Sequence, residues 1–269
     1  MGLINSQASS IEYITSSMKY SLTVLALLCA LYTCAQEKII YLDTSGNPVK
    51  EREALLLEQR VKRDDTCWEI NRYAIDGPRI TSRQFLDEEY KQIHGRYIVY
   101  GPSGSVDTVG KYLHGLRDGR WFVFSPDGIV LRQLIYRNDS LIRNIDTIEI
   151  RKEIKRYNDS LKRGGIEVID SRFPAGVPAW MQFINRNVTY PKRAFKKGIE
   201  GIPMVYFTID KDGSIDPVNT YIQHSVEYTI DKEALRVICS SPRWTIATIN
   251  HKPVRSFKSQ KIVFKLTPV

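Results

Sequence analysis

The chain has 269 residues and a formal net charge of +9, from 39 Lys and Arg against 30 Asp and Glu. Its composition, 42% hydrophobic and 26% charged, excludes a disordered or collagen-like chain, and its length suits two modest domains. Four cysteines are too few for a disulfide framework at this size. Only Cys67 and Cys239 lie beyond the N-terminal apolar region, and we expect two buried free thiols rather than a bridge or a metal site.

Residues 1–35 are predicted to be an export signal. A short basic region that begins at Met18 is followed by an apolar run, Ser21–Tyr32, and then by small residues before Gln36, where a signal peptidase would cut. The apolar run is shorter than the ~20 residues that a membrane-spanning helix needs. We therefore expect cleavage and a periplasmic location in the cell envelope, with Met18 as an alternative start. An uncleaved inner-membrane anchor and a lipoprotein modified at Cys34 are the other interpretations.

Residues 36–140 are predicted to form an all-β repeat domain. The segment Gly95–Val106 recurs 24 residues later as Gly119–Val130, with glycines, an arginine, two aromatic residues, valines and a proline at matching positions. This short fixed period indicates stacked β-hairpins that bury their aromatic rings against one another. The segment resembles the MORN-like repeats of bacterial envelope proteins, and Asp43–Pro48 is a candidate for an earlier, degenerate turn. The alternative is a meander of hairpins that only supports the next domain.

Residues 141–165 are predicted to be a helical linker. Apolar residues fall largely on one face of a stretch rich in Lys, Arg and Glu, and Gly164-Gly165 would end the helix. We expect a spacer packed along one domain, because the stretch has too few heptads to form a coiled coil alone. The apolar residues are Ile148, Ile150, Ile154, Tyr157 and Leu161.

Residues 166–269 begin with a helix and a β-hairpin. The helical run starts at Trp180. Val205–Ile209 alternates apolar and polar residues as a half-buried strand does. Asp210–Gly213 supplies the turn, because Gly tolerates positive φ and Asp favours tight turns, and Ile215–Ile222 is the return strand.

A second helix and a last strand complete this region. Asp231 is expected to cap a helix over residues 232–240, and Pro242 follows the end of that helix. Phe257–Leu266 is predicted to be a strand. We expect Ala234, Leu235 and Ile238 on the buried stripe of the helix, Ile262, Phe264 and Leu266 inward on the strand, and Lys261 and Lys265 outward.

This ordered set of residues resembles the C-terminal domain of TonB, the energy transducer of bacterial outer-membrane transport. The resemblance implies a small antiparallel sheet covered by two helices over residues 166–269, and hence an α+β chain overall. The matching positions are Phe173-Pro-x-Gly176, Tyr190-Pro191, Ala194, Gly198-Ile199-x-Gly201, Val205-x-Phe207, Asp212-Gly213, Asp231-x-Glu233-Ala234-Leu235, Pro242-x-Trp244, Pro253-Val254 and Ile262-x-Phe264.

The resemblance implies recognition by strand addition, in which a sheet edge pairs with the TonB box, a short extended segment of an outer-membrane receptor. Two departures stand out: Asn187-Val188-Thr189 occupies a region where known transducers carry Gln-Pro, and the chain shows no Pro-rich spacer. The expected contact residues are Arg186, Asn187, Val188, Thr189 and Tyr190, together with Arg255, Phe257, Lys261, Val263 and Lys265 of the last strand.

The sequence favours a binding protein over an enzyme. It holds no nucleophile, metal-ligand or phosphate-binding motif, so we expect no cofactor and no metal. Residues 171–269 hold fifteen Lys and Arg against seven Asp and Glu, yet export would separate them from nucleic acid. The alternative is a non-transducing envelope scaffold, or a module that binds glycan or peptidoglycan. Proton-channel subunits become partners if the leader is an uncleaved anchor, and a homodimer is a further alternative.

Overall fold

The computed structural model describes residues 37–266, and these residues have the predicted α+β architecture, with a large antiparallel sheet first and a small sheet with helices after it. The order of the nine strands in the first sheet is their order in the chain, so each strand pairs with the strands that precede and follow it. The strands are β1 (Glu37–Leu42), β2 (Leu56–Asp64), β3 (Cys67–Ala74), β4 (Arg79–Phe85), β5 (Ile93–Tyr100), β6 (Val106–Leu113), β7 (Leu116–Phe124), β8 (Val130–Arg137) and β9 (Ser140–Asp146), with a short 3₁₀ helix at Glu51–Glu53.

The two sequence copies form equivalent hairpins, β5–β6 and β7–β8. Their turns carry the same hydrogen bonds, from Gly101 N to Ser105 O (2.9 Å) and from Ser125 N to Ile129 O (2.8 Å). Gly104 and Gly128 occupy the left-handed region in matching places, at φ +83° and +78°. A third turn of this kind joins Asp43 N to Asn47 O at 3.0 Å. The repeat thus corresponds to one hairpin, while membership of the MORN repeats stays a prediction.

The repeated aromatic residues pack across the strands, as the pattern predicts. Tyr97, Tyr112 and Trp121 form a cluster with ring centroids 5.3–5.8 Å apart, and Tyr136 lies 5.9 Å from Trp121. Gly110 makes this possible, because a Cβ there would lie 2.0 Å from the Trp121 ring. The cluster links four consecutive strands on one face of the sheet.

The helix α1 (Thr147–Arg163) follows the sheet. Asp146 caps it by accepting a hydrogen bond from Glu149 N at 2.8 Å, and its first turns pack on β8 and β9. Only Ile150 of the predicted apolar stripe is buried, whereas Ile148, Ile154 and Tyr157 are exposed. Within residues 37–266, no helix combines the length and apolar character that crossing a membrane requires. The predicted export signal lies outside the described residues.

The C-terminal region contains a three-stranded antiparallel sheet with β11 at its centre and β12 and β15 at its edges. The helix α4 packs on β11 and β12, and α2 and α3 pack on α4. A second small sheet has the order β10-β13-β14. The elements are β10 (Val168–Ile169), α2 (Gly176–Asn187), α3 (Lys192–Lys197), β11 (Met204–Ile209), β12 (Ile215–His224), α4 (Tyr228–Cys239), β13 (Ala247–Ile249), β14 (Lys252–Val254) and β15 (Ser256–Lys261).

One hydrophobic core joins the two sheets. Its centre is a group of aromatic rings in the C-terminal region, in which Trp180 lies 5.1 Å from both Phe173 and Trp244. Ile98 and Tyr100 of β5 belong to the same buried cluster as these rings. The repeat sheet is therefore packed directly on the C-terminal sheet.

The start of α4 differs from the prediction, because Asp231 is not its cap. Glu227 caps the helix by accepting from Thr229 N (2.8 Å) and Ile230 N (3.3 Å). Asp231 lies one turn later and is fully buried, where it accepts from Ser225 Oγ (2.5 Å) and Val226 N (3.0 Å). The predicted cap was wrong because an earlier carboxylate satisfies the first amide groups and Asp231 binds the preceding loop.

Two further predictions have mixed outcomes. The last strand is shorter than expected and β15 ends at Lys261, although a bridge between Gly201 and Phe264 continues the pairing. The inward and outward alternation is confirmed, with Ile262 and Phe264 buried and the lysines exposed. Both described cysteines are free, but only Cys67 is buried, so the expected burial of Cys239 was wrong.

Candidate functional site

The two outer strands of the C-terminal sheet, β12 and β15, are the places where this region could pair with another extended chain. An edge strand presents a row of main-chain N–H and C=O groups that can add a further strand. The candidate site is therefore whichever edge is left unpaired by the rest of the chain.

The β12 edge is closed by side chains of the repeat sheet. Gln84 Nε2 and Arg96 Nη1 donate to the carbonyl of Val218, at 3.1 and 2.7 Å. Arg96 Nη2 donates to Thr220 O at 3.3 Å, and Tyr100 Oη donates to Ile222 O at 2.7 Å. These carbonyls belong to alternate residues, which point to the same side of a strand. Three side chains thus occupy the positions that a neighbouring strand would use.

A buried carboxylate holds Arg96 in this position. Glu69 is fully buried and accepts from Arg96 Nη2 at 3.2 Å, and it also pairs with Arg63. Burial alone would raise the pKa of Glu69, but the two guanidinium groups outweigh burial and hold that pKa well below its usual range. The guanidinium of Arg96 also lies 4.8 Å from the centre of the Tyr221 ring. The closing arginine is therefore fixed by charge and by stacking.

A second buried polar group fastens the end of β12. Arg79 N donates to Ser225 Oγ at 2.8 Å, and the guanidinium of Arg79 donates to Tyr73 Oη (2.9 Å) and Asn71 Oδ1 (3.0 Å). Asp231 lies 3.9 Å from this guanidinium. Burial raises the pKa of Asp231 to about 6, although Arg79 opposes the shift. The junction is thus a network of buried polar side chains between β3, β4 and α4.

The β15 edge has the opposite character. Ile262 N donates to Pro203 O at 3.0 Å and Phe264 N to Gly201 O at 2.9 Å, so the even-numbered residues bond inward. By the alternation of an antiparallel ladder, the odd-numbered residues from 257 to 265 direct their main-chain groups outward. In the described part of the chain, no strand lies along this outer side.

One outward group of β15 is already occupied. Gln260 Nε2 donates to the carbonyl of Lys261 at 2.7 Å. The same amide accepts from Trp180 Nε1 at 2.7 Å, so α2 positions the side chain that covers this carbonyl. Neither Gln260 nor Trp180 was among the expected contact residues, because a glutamine within a strand gives no sequence signal of such a role.

The predicted contact residues of the last strand are mostly exposed. Phe257 is 56% exposed and stacks on Tyr206 with ring centroids 5.8 Å apart, and Val263 is 62% exposed. Lys261 and Lys265 are also exposed. Arg255 differs from these four, since it pairs with Asp210 at 3.0 Å and is tied to the hairpin turn.

The second predicted contact segment, residues 186–190, is bound to the helices. Arg186 and Asn187 end α2, and the carbonyl of Asn187 accepts from Arg236 of α4 at 2.6 Å. Thr189 N donates to Glu233 Oε1 at 2.7 Å. Within this segment Val188 packs against the core, and Tyr190 contacts Phe264 of the last strand, with ring centroids 5.7 Å apart. The structure therefore brings Tyr190 to the end of the β15 edge, while Asn187 O and Thr189 N are bonded to side chains of α4.

Comparison with known proteins agrees with this architecture. Residues 186–266 match the family model of the Gram-negative bacterial TonB protein C-terminal domain, and this range includes β11, β12, α4 and β15. No curated protein and no solved structure matches the chain. Residues 186–266 are therefore similar to the C-terminal domain of TonB proteins, a family that is associated with the cell envelope and with outer-membrane receptors.

Proposed function

We propose that this chain is a non-enzymatic binding protein of the cell envelope that captures the TonB box of an outer-membrane receptor as a fourth strand beside β15, and so contributes to energy-coupled transport. The observation that carries the proposal is the difference between the edges, with β12 closed by the repeat sheet and β15 unpaired within residues 37–266.

The geometry of β15 suits an extended ligand. Phe257, Ser259 and Val263 each combine outward main-chain groups with an exposed side chain that can select what lies beside it. Each main-chain hydrogen bond contributes only about 0.5–1.5 kcal/mol net, so a short ladder gives modest affinity and side chains must add to it. Because the bonds lie in a row across the direction of pull, several must break together, which suits an interface that transmits force.

The central test uses the full chain and fluorescent peptides from the N-terminal segments of the outer-membrane receptors of the same organism. Val263→Pro removes an outward N–H without removing a bond to β11. We expect peptide affinity to fall about tenfold or more, because an adjacent strand loses a ladder bond and meets the proline ring. Val263→Ala keeps the N–H and should change affinity less than about threefold. Equal binding by both variants, each confirmed as folded by circular dichroism, would show that β15 is not the docking edge.

The location of the chain is tested separately by cell fractionation of an epitope-tagged form. We propose a periplasmic product after cleavage of the leader, as the sequence pattern at residues 18–36 indicates. Recovery with the inner membrane would favour an uncleaved anchor and hence a force-transducing role with proton-channel subunits. Recovery in the lipid-modified fraction would favour attachment at Cys34.

A second candidate function, glycan binding by the repeat sheet, is favoured by one observation. The half-buried guanidinium of Arg83 makes no hydrogen bond or ion pair within residues 37–266, although Arg83 lies beside Tyr97 in the strand register. Burial and the nearby Arg72 lower the pKa of Arg83, so an added anion would be stabilising. Retention of the full chain on peptidoglycan that is lost in Arg83→Gln would support this function. Equal retention of both forms would contradict it.

A further inference from the structure

A cavity of about 320 Å³ lies where the repeat sheet meets the face of the C-terminal sheet that carries no helices. Ile202 and Met204 line it from the C-terminal side. From the repeat sheet, Phe124 and the turn Pro126–Gly128 of the second hairpin line the opposite side. The cavity is mostly apolar, with Lys261 of β15 among its lining residues.

An apolar strip connects the cavity to the docking edge. Met204 pairs with Lys261, and the same register brings Gly201 opposite Phe264. Ile202 therefore lies beside Val263, on the same face as Met204, since directly opposed residues of an antiparallel pair share a face. Ile202 is 47% exposed and Val263 is 62% exposed. A strand added to β15 would extend this row by one position.

We infer that the cavity receives a large apolar or aromatic side chain of the docked receptor segment, from the position that faces Val263. This inference rests on the proposed strand capture at β15. The side chain at that position would have its Cβ about 4.5–5.5 Å from that of Val263 and would point to the helix-free face. An aromatic side chain can reach the diagonal neighbours on the adjacent strand, about 7–8 Å away, and one of these neighbours is Lys261, which lines the cavity.

The arrangement assigns a role in partner selection to the repeat sheet. An isolated three-stranded sheet would offer a docked strand only a flat surface on this face. Here the turn Pro126–Gly128 adds a second wall, so a side chain that enters is enclosed between two domains. Enclosing a large apolar side chain favours binding by about tenfold or more over alanine at the same position.

The experiment compares the unmodified full chain and two variants of it, each tested with the same peptides. The reference peptide is the receptor peptide that binds most tightly. In each of the other peptides, one large apolar residue of the reference peptide is replaced by Ala. Asp127→Trp fills the cavity from an exposed turn position. Ile129→Trp is the matched control, because it lies at the end of the same turn, is exposed and does not line the cavity.

At one peptide position we expect Ala to weaken binding to the unmodified chain by about tenfold. In Asp127→Trp the same Ala replacement should weaken binding only about twofold, and the affinity for the Ala peptide itself should equal that of the unmodified chain. In Ile129→Trp the Ala replacement should still weaken binding about tenfold. The inference would be overturned if Ala still weakened binding to Asp127→Trp about tenfold, or if Ala at no peptide position weakened binding to the unmodified chain by more than about threefold. Either result would leave strand capture intact. Absence of binding by every peptide would overturn strand capture and this inference together.

Discussion

The two edges of the C-terminal sheet are chemically alike as strands but have opposite surroundings. Along β12, side chains of Gln84, Arg96 and Tyr100 donate to successive outward carbonyls, so these carbonyls are satisfied without a neighbouring strand. Along β15, the outward groups meet one side chain, that of Gln260, in the described residues. A neighbouring domain can thus determine which edge of a sheet stays available for pairing with another strand, because its side chains close one edge and leave the other unpaired.

The largest expected effect comes from opening the closed edge. Arg96→Ala removes the donors to Val218 O and Thr220 O and leaves the buried Glu69 with one guanidinium fewer, so we expect the free energy of unfolding to fall by about 3–5 kcal/mol. Arg120→Ala is the matched control, because Arg120 holds the same place in the second repeat copy but is exposed, and should cost less than about 0.5 kcal/mol. Chemical denaturation measures both. Similar values for the two variants would mean that Arg96 does not hold the sheets together.

A smaller effect concerns pH at the junction beside β12. The pKa of Asp231 is about 6 in the folded chain, against an ordinary value of 3.8. Between these values the folded state keeps a proton that the unfolded chain loses, so stability falls as pH rises through this window, by up to about 2–3 kcal/mol. Glu69 acts in the opposite direction, because its lowered pKa makes stability fall only when pH drops below about 4.5.

The measurement is therefore the free energy of unfolding between pH 4.5 and pH 6.5, in the original chain and in Asp231→Asn. Asparagine retains an oxygen that can accept from Val226 N but has no proton to lose, so the slope from this site should disappear. An unchanged slope in the variant would place the titrating group elsewhere.

The smallest expected effect is a gain in peptide affinity at the unpaired edge, β15. Gln260→Glu keeps an acceptor for Trp180 Nε1 but removes the donor that covers Lys261 O, so this carbonyl becomes available to a docked strand. We expect receptor peptides to bind about two- to fivefold more tightly. Gln223→Glu, at a nearby residue that accepts a hydrogen bond from Ser259, is the control for added negative charge. Equal changes in both variants would indicate a charge effect rather than release of the carbonyl.

Local sequence patterns predicted the elements that depend on local rules. The alternation of Val205–Ile209, the turn at Asp210–Gly213 and the buried stripe of α4 were all confirmed, because strand and helix periodicity is written in neighbouring residues. The length of the last strand and the cap of α4 were wrong by a few residues. Both depend on which groups nearby in space satisfy the chain ends.

The closure of β12 was beyond prediction for a related reason. Arg96 and Arg120 stand in the same repeated context, Gly-Arg-aromatic, yet Arg96 is half-buried at the junction and Arg120 is exposed. Only the packing of the first hairpin on the C-terminal sheet separates them. The candidate edge itself followed from a family resemblance, whereas the residues that close its counterpart lie more than 100 positions away in the chain.

The hydrogen bond between Trp180 and Gln260 gives this molecule an optical reporter of its own. The indole N–H of Trp180 is bonded to an amide whose other end covers Lys261 O. Any strand that takes this carbonyl must shift the amide, and with it the electrostatic surroundings of the indole. A strand docked at this edge should therefore shift the emission wavelength of the intrinsic tryptophan fluorescence without any added dye. Trp180→Phe should abolish that shift.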